Sequence, residues 1–191
     1  KKRETLIYIS MGTVNNDMLP FYKQCLSAFA DTEYQVILSV GDLVSLEDFG
    51  ELPENISVYS HVDQIAVLQQ ADVFVSHCGM NSVSESLYFA VPLVMLPQTT
   101  EQKGVSKRVS ELGAGIKPDK MDGDSVLTAV KNGKELTTLT VTIEKKALTN
   151  ISTLRFVTSP SQLKLNRCLN LKIGKLCVAS MLARLSPATS L

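Results

Sequence analysis

The 191-residue sequence has no tryptophan, only two histidines and four cysteines, and no net charge, since 19 basic side chains balance 19 acidic ones. No two cysteines form a CxxC motif, which argues against a structural zinc site or a disulfide scaffold. The cysteine usage favours a reducing compartment such as the cytoplasm. Neutrality argues against a protein that binds nucleic acid through its phosphates. No apolar run reaches the length of a membrane-spanning helix. The remaining composition is that of an ordinary globular domain.

The charge is unevenly distributed along the chain. Residues 1–131 carry 10 basic and 17 acidic side chains, a net charge of −7, whereas residues 132–191 carry 9 basic and 2 acidic ones, a net +7, and contain no aspartate. This change of character predicts one globular domain over residues 1–131 and an atypical basic tail over residues 132–191. Two interpretations of the tail stay open: a segment translated from a shifted reading frame, or a partly disordered extension that binds a partner.

Short apolar runs alternate with amphipathic stretches through residues 1–131. The runs predict strands at 5–10, 35–40, 56–59, 72–76 and 91–96 and from residue 116. Helices are predicted at 18–30, capped by Asn16 or Asp17, and at 65–68, 81–89, 105–112 and 124–130, the fourth ending at Gly113. This alternation predicts an α/β fold with a doubly wound, Rossmann-like parallel sheet, whose ligands lie at the carboxyl ends of the strands.

The segment from Ser76 to Glu85 contains the strongest polar motif of the chain. It joins a predicted strand to a predicted helix, so backbone N–H groups and the helix dipole would face an anion there. Gly79 permits close backbone approach, while His77, Asn81 and Ser82 add hydrogen-bond donors that suit a diphosphate. The alternative is that Asn81 and Ser82 merely cap the helix. Cys78 is not expected to be a catalytic thiol, since a reactive thiol needs a lowered pKa. Asp42 is expected to be a solvated loop charge.

These residues resemble a known signature. The pattern His77-x-Gly79-x-Asn81-Ser82-x-x-Glu85, followed by Val91-Pro92, Pro97 and Glu101-Gln102, is similar to the donor-binding motif of family-1 glycosyltransferases, in the macrolide glycosyltransferase-like branch of the GT-B fold. The resemblance covers about Thr5 to Lys131 and implies the C-terminal half of such an enzyme, which binds the nucleotide-sugar.

The resemblance also implies a role for individual residues. The donor diphosphate would be bound by Thr13, His77, Gly79, Asn81 and Ser82, and the ribose by Glu85. The sugar would be bound by Glu101 and Gln102. The base would be bound by His61, Val62 and Gln64, where His61 and Asp63 replace the tryptophan and proline usual in the family. Less stacking area at His61 leaves the identity of the base open.

The implied activity is transfer of a hexose from a UDP-sugar to an acceptor hydroxyl with inversion, without a cofactor or metal. In this family the acceptor pocket and the catalytic base belong to the N-terminal domain, so the resemblance implies no catalytic residue in this chain and no activity of the chain alone. The partner would be that domain or a separate chain. The alternatives are a subunit of a split glycosyltransferase of the GlcNAc-transferase type and a non-catalytic nucleotide-sugar-binding module. A dinucleotide oxidoreductase is disfavoured, because no GxGxxG follows the first strand.

Overall fold

The computed structural model describes residues 4–135, 139–141 and 156–158. Its main sheet has six parallel strands, each within two residues of a predicted apolar run. They are β1 (Thr5–Ser10), β2 (Tyr34–Ser39), β3 (Ile56–Tyr59), β4 (Val73–Ser76), β5 (Leu93–Met95) and β6 (Gly115–Ile116). The predicted Rossmann-like sheet is therefore confirmed.

Five helices connect or follow these strands. They are α1 (Leu19–Phe29), α2 (Gln64–Leu68), α3 (Met80–Tyr88), α4 (Thr100–Glu111) and α5 (Gly123–Glu135). A 3₁₀ turn at Leu46–Phe49, which was not predicted, interrupts the acidic loop after β2. The predicted stop of α4 is confirmed, because Gly113 has a φ of +66° and its N–H bonds to the Ser110 carbonyl.

Helix α1 begins within one residue of its predicted start, but its predicted cap, Asn16 or Asp17, was wrong. Its N-cap residue is Met18, and no side chain caps the helix. Asn16 is instead buried, and its Nδ2 donates to the Gly12 carbonyl at 3.0 Å. The amide therefore stabilises the turn after β1 rather than the first turn of α1.

The strand order is β3-β2-β1-β4-β5-β6. The chain builds outward from β1 to β3 and then continues on the other side of β1, so β1 and β4 flank the point where the direction reverses. In register, Ser10 pairs with Ser39 of β2 and with Ser76 of β4. Ligands of doubly wound sheets bind in the crevice at such a reversal, which here lies at the carboxyl ends of β1 and β4.

Both faces of the sheet are covered. Ile7 and Ile9 of β1 join a core with α1 and α5, while Tyr8 between them joins a core with α3 and α4 on the opposite face. This burial on both sides explains why the strands are continuously apolar instead of alternating. Helix α5 lies close to α1, where a Cβ on Gly123 would collide with the Gln24 carbonyl.

The second part of the sequence contributes a two-stranded antiparallel pair, β7 (Leu139–Val141) and β8 (Phe156–Thr158). β7 falls within a stretch, residues 137–143, whose composition favours a strand. The patchily apolar stretch 169–185 lies outside the described residues, and the predicted boundary at residue 131 stays a prediction. In the part of the chain that is described, no helix combines the length and apolarity needed to span a bilayer.

Candidate functional site

A cleft of about 470 Å³ lies at the carboxyl ends of β1, β2 and β4. Its wall includes every predicted site residue except Glu85 and Glu101: Thr13, His61, Val62, Gln64, His77, Gly79, Asn81, Ser82 and Gln102. The loop after β1 and the N-terminus of α3 face each other across it. The cleft thus occupies the reversal point that the sheet topology indicates.

Helix α3 begins at this cleft without a side-chain cap. Gly79 is the N-cap residue, with φ −60° and ψ 141°, and among the described residues no side-chain cap accepts from the N–H groups of the first turn. The interpretation of Asn81 and Ser82 as simple helix caps was therefore wrong. Both line the cleft, Asn81 exposed and Ser82 half-buried. The first-turn N–H groups and the positive end of the helix dipole favour a bound anion.

The His77 imidazole fits between two glycines. An added Cβ would lie 2.5 Å from His77 Cε1 at Gly12 and 2.5 Å from His77 Nε2 at Gly79. Within the described part of the chain, the buried His77 Nδ1 has no hydrogen-bond partner. Burial lowers the pKa of His77, and a hydrogen bond with the Ser10 backbone offsets part of that effect. The ring is thus neutral at pH 7 and lines the cleft.

The two loops that flank the reversal point leave their strands through similar turns. The Ser10 hydroxyl accepts from the Gly12 N–H at 3.4 Å, and the Ser76 hydroxyl accepts from the Cys78 N–H at 3.2 Å. Both turns place a residue at positive φ, Gly12 at +82° and Cys78 at +65°. These bonds direct the two loops to opposite sides of the cleft.

Cys78 is a packing residue, as expected from the sequence. Its side chain is fully buried in the core beneath α3. Burial raises the pKa of the Cys78 thiol to about 12, with a hydrogen bond from the Leu96 backbone acting in the opposite direction. A buried, protonated thiol is not a nucleophile.

Glu85 lies one helical turn beyond Asn81. It is outside the cleft wall but is hydrogen-bonded to Gln64, which lies in that wall. Gln64 Nε2 donates to Glu85 Oε2 at 2.6 Å and to Ser82 Oγ at 3.4 Å. The Tyr8 hydroxyl donates to Gln64 Oε1 at 3.2 Å. Gln64, which was predicted to bind the base, therefore contacts two other predicted site residues. They are Glu85, predicted to bind the ribose, and Ser82, predicted to bind the diphosphate.

His61 lies at the exposed rim of the cleft. Its Nε2 is 2.8 Å from Asp42 Oδ1, with 55% and 79% of the two side chains exposed. Asp42 is thus a largely exposed loop charge, as expected, and its carboxylate also contacts the imidazole. An exposed pair of this kind contributes little to stability and mainly orients the ring.

The predicted sugar-binding pair lies in the first turn of α4, which begins five residues before the predicted helix. Gln102 Oε1 accepts from the Gln98 and Thr99 N–H groups, and Thr99 Oγ1 accepts from the Gln102 N–H, which completes a capping box. Gln102 lines the cleft, whereas Glu101 is exposed and lies outside its wall. The Gln102 oxygen is thus already engaged by backbone donors.

Several cleft residues were missed in the sequence. Tyr8, Ser10, Ser39 and Asn15 line the wall, although Tyr8 lies in an apolar strand and gave no separate signal. The sequence did contain a signal for these residues, because a serine ends each of β1, β2 and β4. Hydroxyls at three neighbouring strand ends indicate a polar surface at that edge of the sheet.

Comparison with known proteins decides the family. The model of the erythromycin biosynthesis protein CIII-like C-terminal domain matches residues 23–153, more than half of the chain. The chain belongs to this family. The match continues to residue 153, beyond Lys131, where the resemblance described above ends. An EryCIII-like C-terminal domain is consistent with the predicted relationship to macrolide glycosyltransferases.

Named relatives of this EryCIII-like domain are glycosyltransferases. The NDP-glycosyltransferase YjiC of Bacillus licheniformis is 42% identical over 127 residues, which are 65% of this chain and 32% of the relative. The oleandomycin glycosyltransferase of Streptomyces antibioticus is 34% identical over 115 residues, 60% of this chain and 27% of the relative. The chain thus spans about a third or less of the length of these curated relatives.

Solved structures of GT-B glycosyltransferases share the fold. The glycotransferase of kitacinnamycin has a TM-score of 0.67 and 28% identity, and the match covers 98% of this chain and 45% of that one. Os79 from O. sativa, solved in complex with UDP, has a TM-score of 0.57 at 16% identity, over 97% of this chain and 42% of that one. The predicted relationship and fold class are confirmed.

Proposed function

We propose that the cleft binds a nucleotide-sugar of the UDP-hexose class and forms the donor half of an inverting glycosyltransferase that moves a hexose to an acceptor hydroxyl. The observation that carries this proposal is the uncapped N-terminus of α3, which faces the Gly12–Thr13 loop across the cleft beside the His77 ring. Together they form an anion site at the reversal point of the sheet. The family membership of the chain supports the same assignment.

The diphosphate would lie against Gly79, Asn81 and Ser82, with Thr13 on the opposite wall and His77 beneath. Fixed N–H groups stabilise negative charge without reorganising, so they would also stabilise the nucleoside diphosphate as it leaves the sugar. The described residues offer this stabilisation from backbone dipoles, and the proposal requires neither a metal nor a cofactor.

The remaining assignments follow the walls of the cleft. Glu85 would accept from the ribose hydroxyls, and Gln102, with Glu101 beside it, would bind the sugar. The His61 ring, together with Val62 and Gln64, would contact the base. The bond of Asp42 to the imidazole supports a stacking role for His61, because it fixes the edge of the ring and leaves the faces free.

Transfer also needs an acceptor pocket and a general base for the acceptor hydroxyl. We assign both to another part of the enzyme, either an N-terminal domain or a partner chain. The proposal therefore expects hexose transfer only when an acceptor domain of a relative is added to this chain. Donor binding with no transfer in that mixture would instead favour a non-catalytic nucleotide-sugar-binding module.

Calorimetric titration with UDP, UDP-glucose and dTDP tests donor binding directly. Ser82→Ala removes a cleft hydroxyl and is expected to weaken UDP binding about 10- to 150-fold, the range for one hydrogen bond to a charged group. Ser84→Ala is the matched control on the same helix, because the Ser84 hydroxyl donates within α3 to the Met80 carbonyl at 2.7 Å and lies outside the cleft wall. A cooperatively folded chain that binds none of the three nucleotides would contradict the proposal.

A further inference from the structure

Tyr8 is a buried cleft residue whose ring is held by stacking and whose hydroxyl is hydrogen-bonded. It lies in the central strand β1, is 1% exposed, and stacks on Phe74 with ring centroids 4.7 Å apart and planes inclined by 15°. Its hydroxyl is at the cleft floor, near those of Ser10 and Ser39, and donates to Gln64 Oε1 at 3.2 Å. Burial raises the Tyr8 pKa and Glu85 adds to the shift, although hydrogen bonds with the two serines act against it. The hydroxyl therefore stays protonated and remains a donor at neutral pH.

The Gln64 amide connects the Tyr8 hydroxyl to Glu85 and Ser82, the two side chains of α3 that are proposed to bind the donor. An amide has an acceptor end and a donor end, so its orientation is set when each end meets the opposite kind of group. Tyr8 occupies the oxygen end, while Glu85 Oε2 and Ser82 Oγ occupy the nitrogen end at 2.6 and 3.4 Å. A reversed amide would place its oxygen against the Glu85 carboxylate, which is unfavourable.

We propose that Tyr8 is a positioning residue for donor recognition, which acts through the Gln64 amide to orient the Glu85 carboxylate toward ribose and the Ser82 hydroxyl proton toward the diphosphate. The inference rests on the proposed nucleotide-sugar site. Gln64 engages Glu85 Oε2 and leaves Oε1 to accept from a ribose hydroxyl. Because the Ser82 oxygen accepts from Gln64, the Ser82 O–H can donate to a different group, and Ser82 lines the cleft.

The test measures ribose discrimination in Tyr8→Phe. The dissociation constants of UDP and 2′-deoxy-UDP are determined for each variant, and their ratio isolates recognition of one ribose hydroxyl. We expect the wild-type chain to bind UDP more tightly and Tyr8→Phe to reduce the ratio about threefold, with most of the loss on UDP. Glu85→Gln should reduce the same ratio, because it removes the carboxylate itself.

Tyr22→Phe is the matched control. Tyr22 is also a fully buried tyrosine, but it lies in α1 and its hydroxyl has no hydrogen-bond partner among the described residues. Its ratio should equal that of the wild type. If Tyr8→Phe fails to fold, Gln64→Leu removes the same hydrogen bond by changing its partner in α2. It should likewise reduce the ratio of the two dissociation constants.

An unchanged ratio in Tyr8→Phe or Gln64→Leu, with UDP still bound, would overturn the positioning role. Independent, multiplying effects in the double variant Tyr8→Phe/Gln64→Leu would overturn it too, because both changes act on one connection. Failure of the wild-type chain to bind UDP at all would instead overturn the proposed function on which the inference rests.

Discussion

At the scale of single residues, the His77 side chain depends on two neighbouring positions that carry no side chain of their own. The imidazole fills the space where a Cβ on Gly12 or Gly79 would lie. Gly12 also has a φ of +82°, which is unfavourable for other residues. The position of the ring is therefore set by the backbone of the loop after β1 as much as by the strand that carries it.

Gly12→Ala should lower the free energy of unfolding by about 1–3 kcal/mol, since it adds backbone strain and a collision with His77. Gly104→Ala is the control, because Gly104 lies inside α4 and a Cβ there meets nothing within 4 Å. That change should raise the free energy of unfolding by about 0.5–1 kcal/mol. Urea denaturation of both variants measures the difference, and equal effects of the two substitutions would contradict the account of the His77 site.

The buried His77 should also make stability depend on pH. Its pKa is lowered in the folded chain, so below the ordinary value of 6.5 the unfolded chain binds the proton first. Stability should be fully present above about pH 6.5 and decline as the pH falls toward the lowered folded pKa. Denaturation midpoints between pH 7.5 and 5.5 should show this slope in the wild type and in His61→Gln, but a smaller slope in His77→Gln. A slope that persists in His77→Gln would assign the effect to other groups.

Single residues differed in how well the sequence revealed them. His77, Gly79, Asn81 and Ser82 could be predicted because they interrupt the apolar pattern between a strand and a helix. Tyr8 could not, because a tyrosine in a buried strand looks like any core aromatic until the position of its hydroxyl is known. Gln64 was identified, but its contacts with Glu85 and Tyr8 link residues that are 21 and 56 positions away.

At the scale of secondary structure, strands were predictable and helix starts were less so. Apolar runs bounded by glycine and polar residues give clear strand limits in a doubly covered sheet. Helix α4 begins at Thr100 rather than near Val105, because its first turn is polar and is stabilised by the Thr99–Gln102 capping box. The cap of α1 was predicted wrongly, since Asn16 has the chemistry of a cap but bonds to Gly12.

The capping box gives an element-scale prediction. Thr99→Ala removes the hydroxyl that accepts from the Gln102 N–H and should cost about 1 kcal/mol of unfolding free energy. Thr128→Ala, an exposed position inside α5, is the control and should be neutral or slightly stabilising. Hydrogen exchange should become faster at the first turn of α4 in Thr99→Ala only. Faster exchange throughout the sheet would contradict a local role of the cap.

At the scale of the whole molecule, α5 completes the core on one face of the sheet. Val126, Ala129 and Val130 are at most 3% exposed and join the cluster that contains α1. A chain that ends at Asp122 should therefore lose cooperative unfolding, whereas a chain that ends at Glu135 should keep it. Thermal unfolding followed by circular dichroism compares the two. Cooperative unfolding of the shorter chain would show that α5 is dispensable.

The same comparison bears on the predicted boundary between residues 131 and 132. The net charge changes from −7 to +7 there, yet the family model matches through residue 153. Charge composition is a property of surfaces and does not report where a packed core ends. The end of the domain therefore has to be found from packing, and the boundary at residue 131 stays a prediction.

The paired serine turns after β1 and β4 have a geometric consequence for the cleft. Ser10 and Ser76 are aligned in neighbouring parallel strands, and each closes a turn to the N–H two residues later. The two loops that line the cleft therefore begin with similar turns at aligned positions of neighbouring strands. Their starting points are separated by the spacing between adjacent strands, so the sheet sets the distance at which the two loops begin.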